Sequence, residues 1–328
     1  MLLPILFCLA CMIIEIECIS NDIDNYRSVV FTPFKWFKST SSAEWSARYV
    51  ATSVVYNNLM FVMGGYNGTN SLNDVWSSTD GVSWIQIVAV ADWPARNHHA
   101  SVVFDGKIYI LGGQGNSGKI NDVWSSGDGG LTWIEITTSS LWAVRAGHSS
   151  LVFNNKIFVI GGVDGAGGGN RNDVWSSVDG ATWVEVTGTA AWSVRRYHTS
   201  VVYDNKMFVL GGYDGTAYFN DVWSSSDGAT WALVTAAAAW SPRRSHTTVI
   251  FDEKIYLIGG SSDSGDNVWA TTNGANWTEE APRSFIQSHT SVVIDNILYV
   301  MGGSDEDVIR NDVWYLKYEA SYKSIKTV

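Results

Sequence analysis

A pair of adjacent glycines closes an apolar run six times along this chain: Gly64-Gly65, Gly112-Gly113, Gly161-Gly162, Gly211-Gly212, Gly259-Gly260 and Gly302-Gly303. Successive pairs are 48, 49, 50, 48 and 43 residues apart. A unit repeated at that period cannot bury its apolar face alone and must stack on its neighbours. After each pair come a variable loop and "DVW" or "NVW", which places Trp76, Trp124, Trp175, Trp223, Trp269 and Trp314. Trp84, Trp133, Trp183, Trp231 and Trp277 follow at a near-constant distance, and Trp93, Trp142, Trp192 and Trp240 at a second one. With Trp36 and Trp45, all 17 tryptophans of the chain fall on this lattice.

Each unit reads as four short strands. "ASVVFDGKIYILGG" is two apolar runs around an Asp-Gly turn, where other units have Asn-Asn, Asp-Asn or Asp-Glu. Runs that are apolar at nearly every position suit strands covered on both faces. "NDVWSS" is a third strand, followed by a second Asp-Gly or Asn-Gly turn. In "TWIEIT" Ile134 and Ile136 point one way and Trp133 and Glu135 the other, as in a half-exposed outer strand. No window shows the i, i+3, i+4 apolar spacing of a helix. Four antiparallel strands recurring about every 40–50 residues make propeller blades.

The chain opens on the end of such a unit. "FKWFKSTSSAEWSAR" (Phe34 to Arg48) keeps the register of "VSWIQIVAVADWPAR" (Val82 to Arg96), with no front half before it. The sixth unit has three strands, ending in "RNDVWYLKYEA", and no fourth. Joining the two ends predicts an all-β, six-bladed β-propeller of four-stranded antiparallel blades, closed by the N-terminal strand, which removes open sheet edges. The expected propeller covers 34–318, with blades near 48–88, 96–137, 145–187, 195–235, 243–279 and 283–318 plus 34–38, and a C-terminal tail at 319–328. A competing arrangement makes "EASYKSI" the outer strand, with Tyr322 in the tryptophan position.

With 32 acidic and 21 basic residues the net charge is −11, which disfavours a nucleic-acid surface. Cys8, Cys11 and Cys18 all lie near the N-terminus, so no disulfide framework holds the repeats. The apolar run Leu2 to Ile14 is too short to span a bilayer and reads as a secretory signal at 1–20, although no Lys or Arg precedes it. An uncleaved anchor is the competing reading. The expectation is a secreted, monomeric protein with no membrane span in its mature chain. Asn67 and Asn276 stand in sequons open to glycosylation.

The apolar run into Gly-Gly, the variable loop and the two spaced aromatics resemble the kelch motif, which also builds the central propeller of galactose oxidase. The resemblance covers about residues 34 to 318. It departs from the usual kelch pattern in having Trp where a Tyr is common. The turn "SGDGGLTW" (Ser126 to Trp133) also matches the Asp-box of sialidase-type propellers.

Three repeated constellations are candidates for chemistry. Arg48, Arg96, Arg145, Arg195, Arg243 and Arg283 precede the first strands. The resemblance implies partner contacts at such arginines, whereas their regularity favours stacking on the preceding Trp or bridging between blades. His99, His148, His198, His246 and His289 open the first strands. One per blade is not the spacing of a metal site, and each is expected to satisfy a backbone group. His98 is an extra copy without equivalent. Asp80, Asp128, Asp179 and Asp227, with Asn273, are expected to cap their hairpins. The acidic loops Ser261 to Asn267 and Ser304 to Asn311 read as solvated loops.

No catalytic motif stands out. A copper site of the galactose-oxidase kind needs a cysteine that the repeats lack, and no local motif marks the Tyr, Glu and Asp of a sialidase. No catalytic residue, metal or cofactor is expected. The function expected is a non-catalytic scaffold binding a protein or glycan. The alternative is a sialidase-like propeller glycosidase or lyase, its site built from the 2→3 and 4→1 loops. Variable 2→3 loops share a face with the 4→1 loops, so the ligand is expected there, on Tyr66, Tyr213, Tyr218, Phe219, Arg195 and Arg243.

Overall fold

The computed structural model describes residues 14–17, 26–165, 169–262, 267–280, 287–305 and 308–325. Their backbone is all strand, turn and loop, with no helix. Among these residues the strands form six four-stranded antiparallel units. The first is Thr52–Tyr56, Leu59–Tyr66, Ser71–Ser78 and Ile85–Val88. The second to fifth repeat it, their innermost strands being Ala100–Phe104, Ser149–Phe153, Thr199–Tyr203 and Thr247–Phe251. In the sixth, Thr290–Ile294, Ile297–Asp305 and Val308–Ile325 are completed by Tyr26–Thr40 from the other end of the chain.

That closing strand holds the expected register. Trp36 lies opposite Leu316 and Lys38 opposite Trp314, as Glu135 lies opposite Trp124 in the second blade. "EASYKSI" is not the outer strand: its backbone continues the third strand, antiparallel to residues 26–32. Ile14–Glu17 pairs with Arg27 to Val30, and the rest of the expected 1–20 signal segment lies outside the described residues.

The two-residue turns between first and second strands have positive φ at both positions, for example Asn57 at 47° and Asn58 at 59°. That is the I′ geometry expected of Asn and Asp there. The glycine pairs have a different cause. A Cβ on Gly64 would lie 2.9 Å from His99 Cε1, and one on Gly65 2.8 Å from the Ala51 Cβ. The pair lets the second strand run against two 4→1 segments at once, its own blade's and the next one's.

A hexagon of backbone hydrogen bonds closes the ring. His98 N–H donates to Val50 O, Gly147 to His98, Tyr197 to Gly147, Ser245 to Tyr197, Ser288 to Ser245, and Val50 to Ser288, at 2.8–3.1 Å. All six residues are left-handed, with φ from 50° to 61°. One residue per blade thus forms a diaphragm across the central channel. The core lies in six apolar clusters, one at each blade–blade junction. At five of them an edge-to-face Trp pair joins neighbours: Trp45–Trp84, Trp93–Trp133, Trp142–Trp183, Trp192–Trp231 and Trp240–Trp277, centroids 5.8–6.0 Å apart. At the junction of blades five and six Phe34 packs against Phe251 and Tyr256.

Candidate binding face

The repeated arginines are interior. Arg96 is fully buried; its guanidinium grips Asp122 through both outer nitrogens at 2.6 and 2.7 Å and donates to the carbonyls of Gly112 and Pro94. Asp122 in turn accepts from the Trp124 indole at 2.9 Å. Arg48–Asp74, Arg145–Asp173 and Arg195–Asp221 repeat this, and each guanidinium also faces the Trp three residues before it at 5.6–5.7 Å. The Arg145 charge and hydrogen bonds outweigh burial and hold Asp173 below the ordinary carboxylate range. In the fifth blade Asn267 takes the acid's place, and Arg243 donates to Gly259 O and to the Ser241 carbonyl and hydroxyl. Arg283 lies outside the described residues.

Two of the expected ligand contacts are therefore corrected. Arg195 and Arg243 are 0% and 1% exposed, and the donors of Arg195 serve Asp221, Gly211 and Ser193. Neither presents a guanidinium to the surface. Phe219 lies 4.5 Å from the Arg195 guanidinium carbon and covers it.

The histidines and turn aspartates are also structural. His99, His198, His246 and His289 bridge to Thr52, Ser149, Thr199 and Thr247 of the preceding blade through Nε2, at 2.8–3.0 Å. His148 has no such partner, because the corresponding residue is Ala100. Burial first, then Arg145, push its pKa down to about 3. Asp80 caps its hairpin through the N–H groups of Val82 and Ser83, and Asp179 and Asp227 do the same in their blades. Among the described residues no group of three or more His, Cys, Asp or Glu is arranged to hold a metal ion.

The 2→3 and 4→1 loops do share one face: Tyr49 bridges Tyr66, Asn97 pairs with Gln114, Arg196 with Tyr213, and Arg244 with Ser261. A cavity of about 390 Å³ opens at its centre, lined by Tyr49, His98, Tyr197, Arg244, Gln287 and Ser304 among others. A smaller one of about 120 Å³ extends into the channel towards the histidine ring.

Beside this mouth the structure gathers the expected Tyr66, Tyr213 and Tyr218 around two arginines and a tyrosine that the sequence did not single out. Arg196 faces Tyr197 at 5.4 Å and Tyr213 at 5.3 Å. Arg244 faces Tyr197, Tyr213 and Tyr218 at 5.6, 5.0 and 5.5 Å. Tyr213 and Tyr218 stand 5.1 Å apart as a cross-strand pair, and Tyr66 packs on Tyr49 on the far side. Both arginines are half-buried, and the buried Nε of each has no hydrogen-bond partner. Neither forms an ion pair among the described residues. The alternation of an extended backbone explains the contrast: Arg195 points inward, and its neighbour Arg196 points to the mouth. The legible signal was doubling. Arg-Arg occurs only at 195–196 and 243–244.

A family model for the KLHDC2/KLHL20/DRC7 Kelch-repeats domain matches residues 23–176 and 140–286, and a Kelch motif model matches 287–321. The chain belongs to the kelch-repeat family. A search of curated proteins finds no match. Kelch propellers are binding scaffolds that commonly engage other proteins. In this kelch chain Arg196, Arg244 and the tyrosines occupy the channel mouth, the concave place where a scaffold has most surface to offer.

Proposed function

We propose that this kelch propeller is a non-catalytic binding module whose partner docks on the face of 2→3 and 4→1 loops and presents a carboxylate to Arg196 and Arg244. The observation that carries the reading is the pair of guanidiniums with neither ion-pair partner nor Nε hydrogen bond among the described residues, held against tyrosine rings at the rim of a cavity. A half-buried guanidinium without a counter-ion is costly, and an incoming carboxylate satisfies it bidentately. Tyr66, Tyr213 and Tyr218 supply amphipathic contact area around it. A protein partner bearing an acidic side chain or chain end is the first reading. A sugar acid stacked on the tyrosines is the second, favoured by the same pairing of aromatic faces with a cation. We read the protein as exported and monomeric; the cysteine-free repeats and the sequons at Asn67 and Asn276 support export.

The test is selection from a randomised peptide library beside an array of acidic and neutral glycans, with wild type and Arg244→Gln. Enrichment of acidic peptides, lost in the variant with an unchanged melting temperature, supports the reading. Enrichment of acidic glycans instead makes the second reading correct. Neutral or basic selections, or turnover of any glycan, overturn it.

A further inference from the structure

His98 breaks the repeat. It belongs to the diaphragm, where the other blades place Val50, Gly147, Tyr197, Ser245 and Ser288, and it lines both cavities. Its Nδ1 lies 2.6 Å from Asn97 Oδ1, and Asn97 is itself oriented by a 2.9 Å hydrogen bond from its Nδ2 to Ser71 Oγ. Because Oδ1 can only accept, Nδ1 carries the proton. The neutral ring is thereby fixed with a bare Nε2 that has no hydrogen-bond partner in the described structure.

The ring packs tilted against Tyr197, centroids 4.9 Å apart and planes at 42°, and Tyr197 is the same ring that Arg196 and Arg244 face. Gly147 makes this possible: a Cβ there would lie 2.6 Å from the Tyr197 ring. The charges that bear on His98 are Arg244 and Arg196, with the buried His99 behind it; Tyr49, Tyr197 and Gln287 line the cavity it shares. Burial first and then the two arginines press its pKa down to about 4.

Resting on the anion-binding reading above, we propose that His98 is a third, conditional donor of the mouth: an anion held by Arg196 and Arg244 draws a proton from solvent onto His98 Nε2, so binding strengthens on acidification. The anion offsets the two guanidinium charges that oppose protonation, and the imidazolium that forms donates from Nε2 while Nδ1 keeps its bond to Asn97. The free protein holds His98 neutral from pH 7.5 down to about 5, and the complex takes up one proton over that range. Affinity therefore rises as pH falls below the histidine value of the complex. A return of that value towards about 6.5 makes binding at pH 5.5 roughly threefold to tenfold tighter than at pH 7.5.

Sulfate is the probe, since it stays a dianion throughout, titrated calorimetrically at pH 7.5 and 5.5 and constant ionic strength. Tryptophan fluorescence checks that the protein is folded at both. The expected result is the threefold-to-tenfold gain in wild type, with no gain on acidification in His98→Asn. Asn tolerates the left-handed backbone there, which makes it the mildest replacement. As a second readout, sulfate should move the titration of the His98 ring proton upward by NMR in wild type but not in Arg244→Gln. Equal affinities at the two pH values, or the same gain in His98→Asn, overturn the role of His98 and leave the arginine site standing. No sulfate binding at either pH overturns both readings.

Discussion

Arg195 and Arg196 are adjacent, carry the same charge and do opposite work. The first is sealed beneath Phe219 and satisfied by Asp221, whereas the second faces the rings of Tyr197 and Tyr213 and has no ion-pair partner among the described residues. Removing one side of a buried bidentate pair strands the other charge, so Asp173→Asn should cost about 3–5 kcal/mol in chemical denaturation. Arg244→Gln should cost less than about 1 kcal/mol, because Arg244 makes no ion pair among the described residues. Equal losses would show that the half-buried arginines are structural too. His148 offers a second test. Ala100→Ser would return the hydroxyl that the other histidines have, and it should stabilise the fold by about 0.5–1.5 kcal/mol in the same assay. A destabilised variant would show that Ala100 is fixed by packing.

Strand order and turn type were legible because they rest on local chemistry: short continuous apolar runs, Asn and Asp where φ is positive, and a glycine pair ending each second strand. Closure by the N-terminal strand was legible for the same reason, since Trp36 and Trp45 repeat the spacing of Trp133 and Trp142. What fills the closing junction was not. Phe34, 8% exposed, is the side chain that seats the strand on the fifth blade. Phe34→Ala should therefore cost about 3–5 kcal/mol, and Lys38→Ala, which loses a half-exposed 3.8 Å contact to Asp312, less than about 1 kcal/mol. Thermal melts giving the reverse ranking would mean that pairing with the strand backbone, and not its packing, closes the ring.

Across the whole molecule the blades are held by a buried polar layer as well as by apolar clusters. Four histidines of the ring are neutral in the folded state: burial, ahead of the neighbouring arginines, depresses His148 and His246 to about 3, and His99 and His198 are also well below the ordinary value. In the unfolded chain the same side chains take up protons near pH 6.5. The unfolded state therefore binds more protons between about pH 6.5 and pH 3, and stability falls as pH falls through that window. Each such histidine contributes up to about 1.4 kcal/mol of loss per pH unit. The melting temperature should be flat from pH 8 to 7 and drop progressively below 6.5. His148→Asn should shallow that slope, and a wild-type melting temperature constant down to pH 4.5 would refute the neutral ring.

The sequence by itself determined the number of units, their strand order and the way the chain ends meet. Those follow from periodic patterning and turn propensity, which act over a few residues and recur often enough to be read. It also separated what repeats from what does not, and the doubled arginines and His98 lie on the non-repeating side. Only the tertiary structure decided which of two neighbouring arginines faces solvent, since a shift of one residue along an extended strand exchanges inside for outside. It alone brought Arg196, Arg244, Tyr197 and His98, from three blades, onto one channel mouth: their proximity depends on where each side chain points once the blades are packed around the channel, which local sequence does not encode.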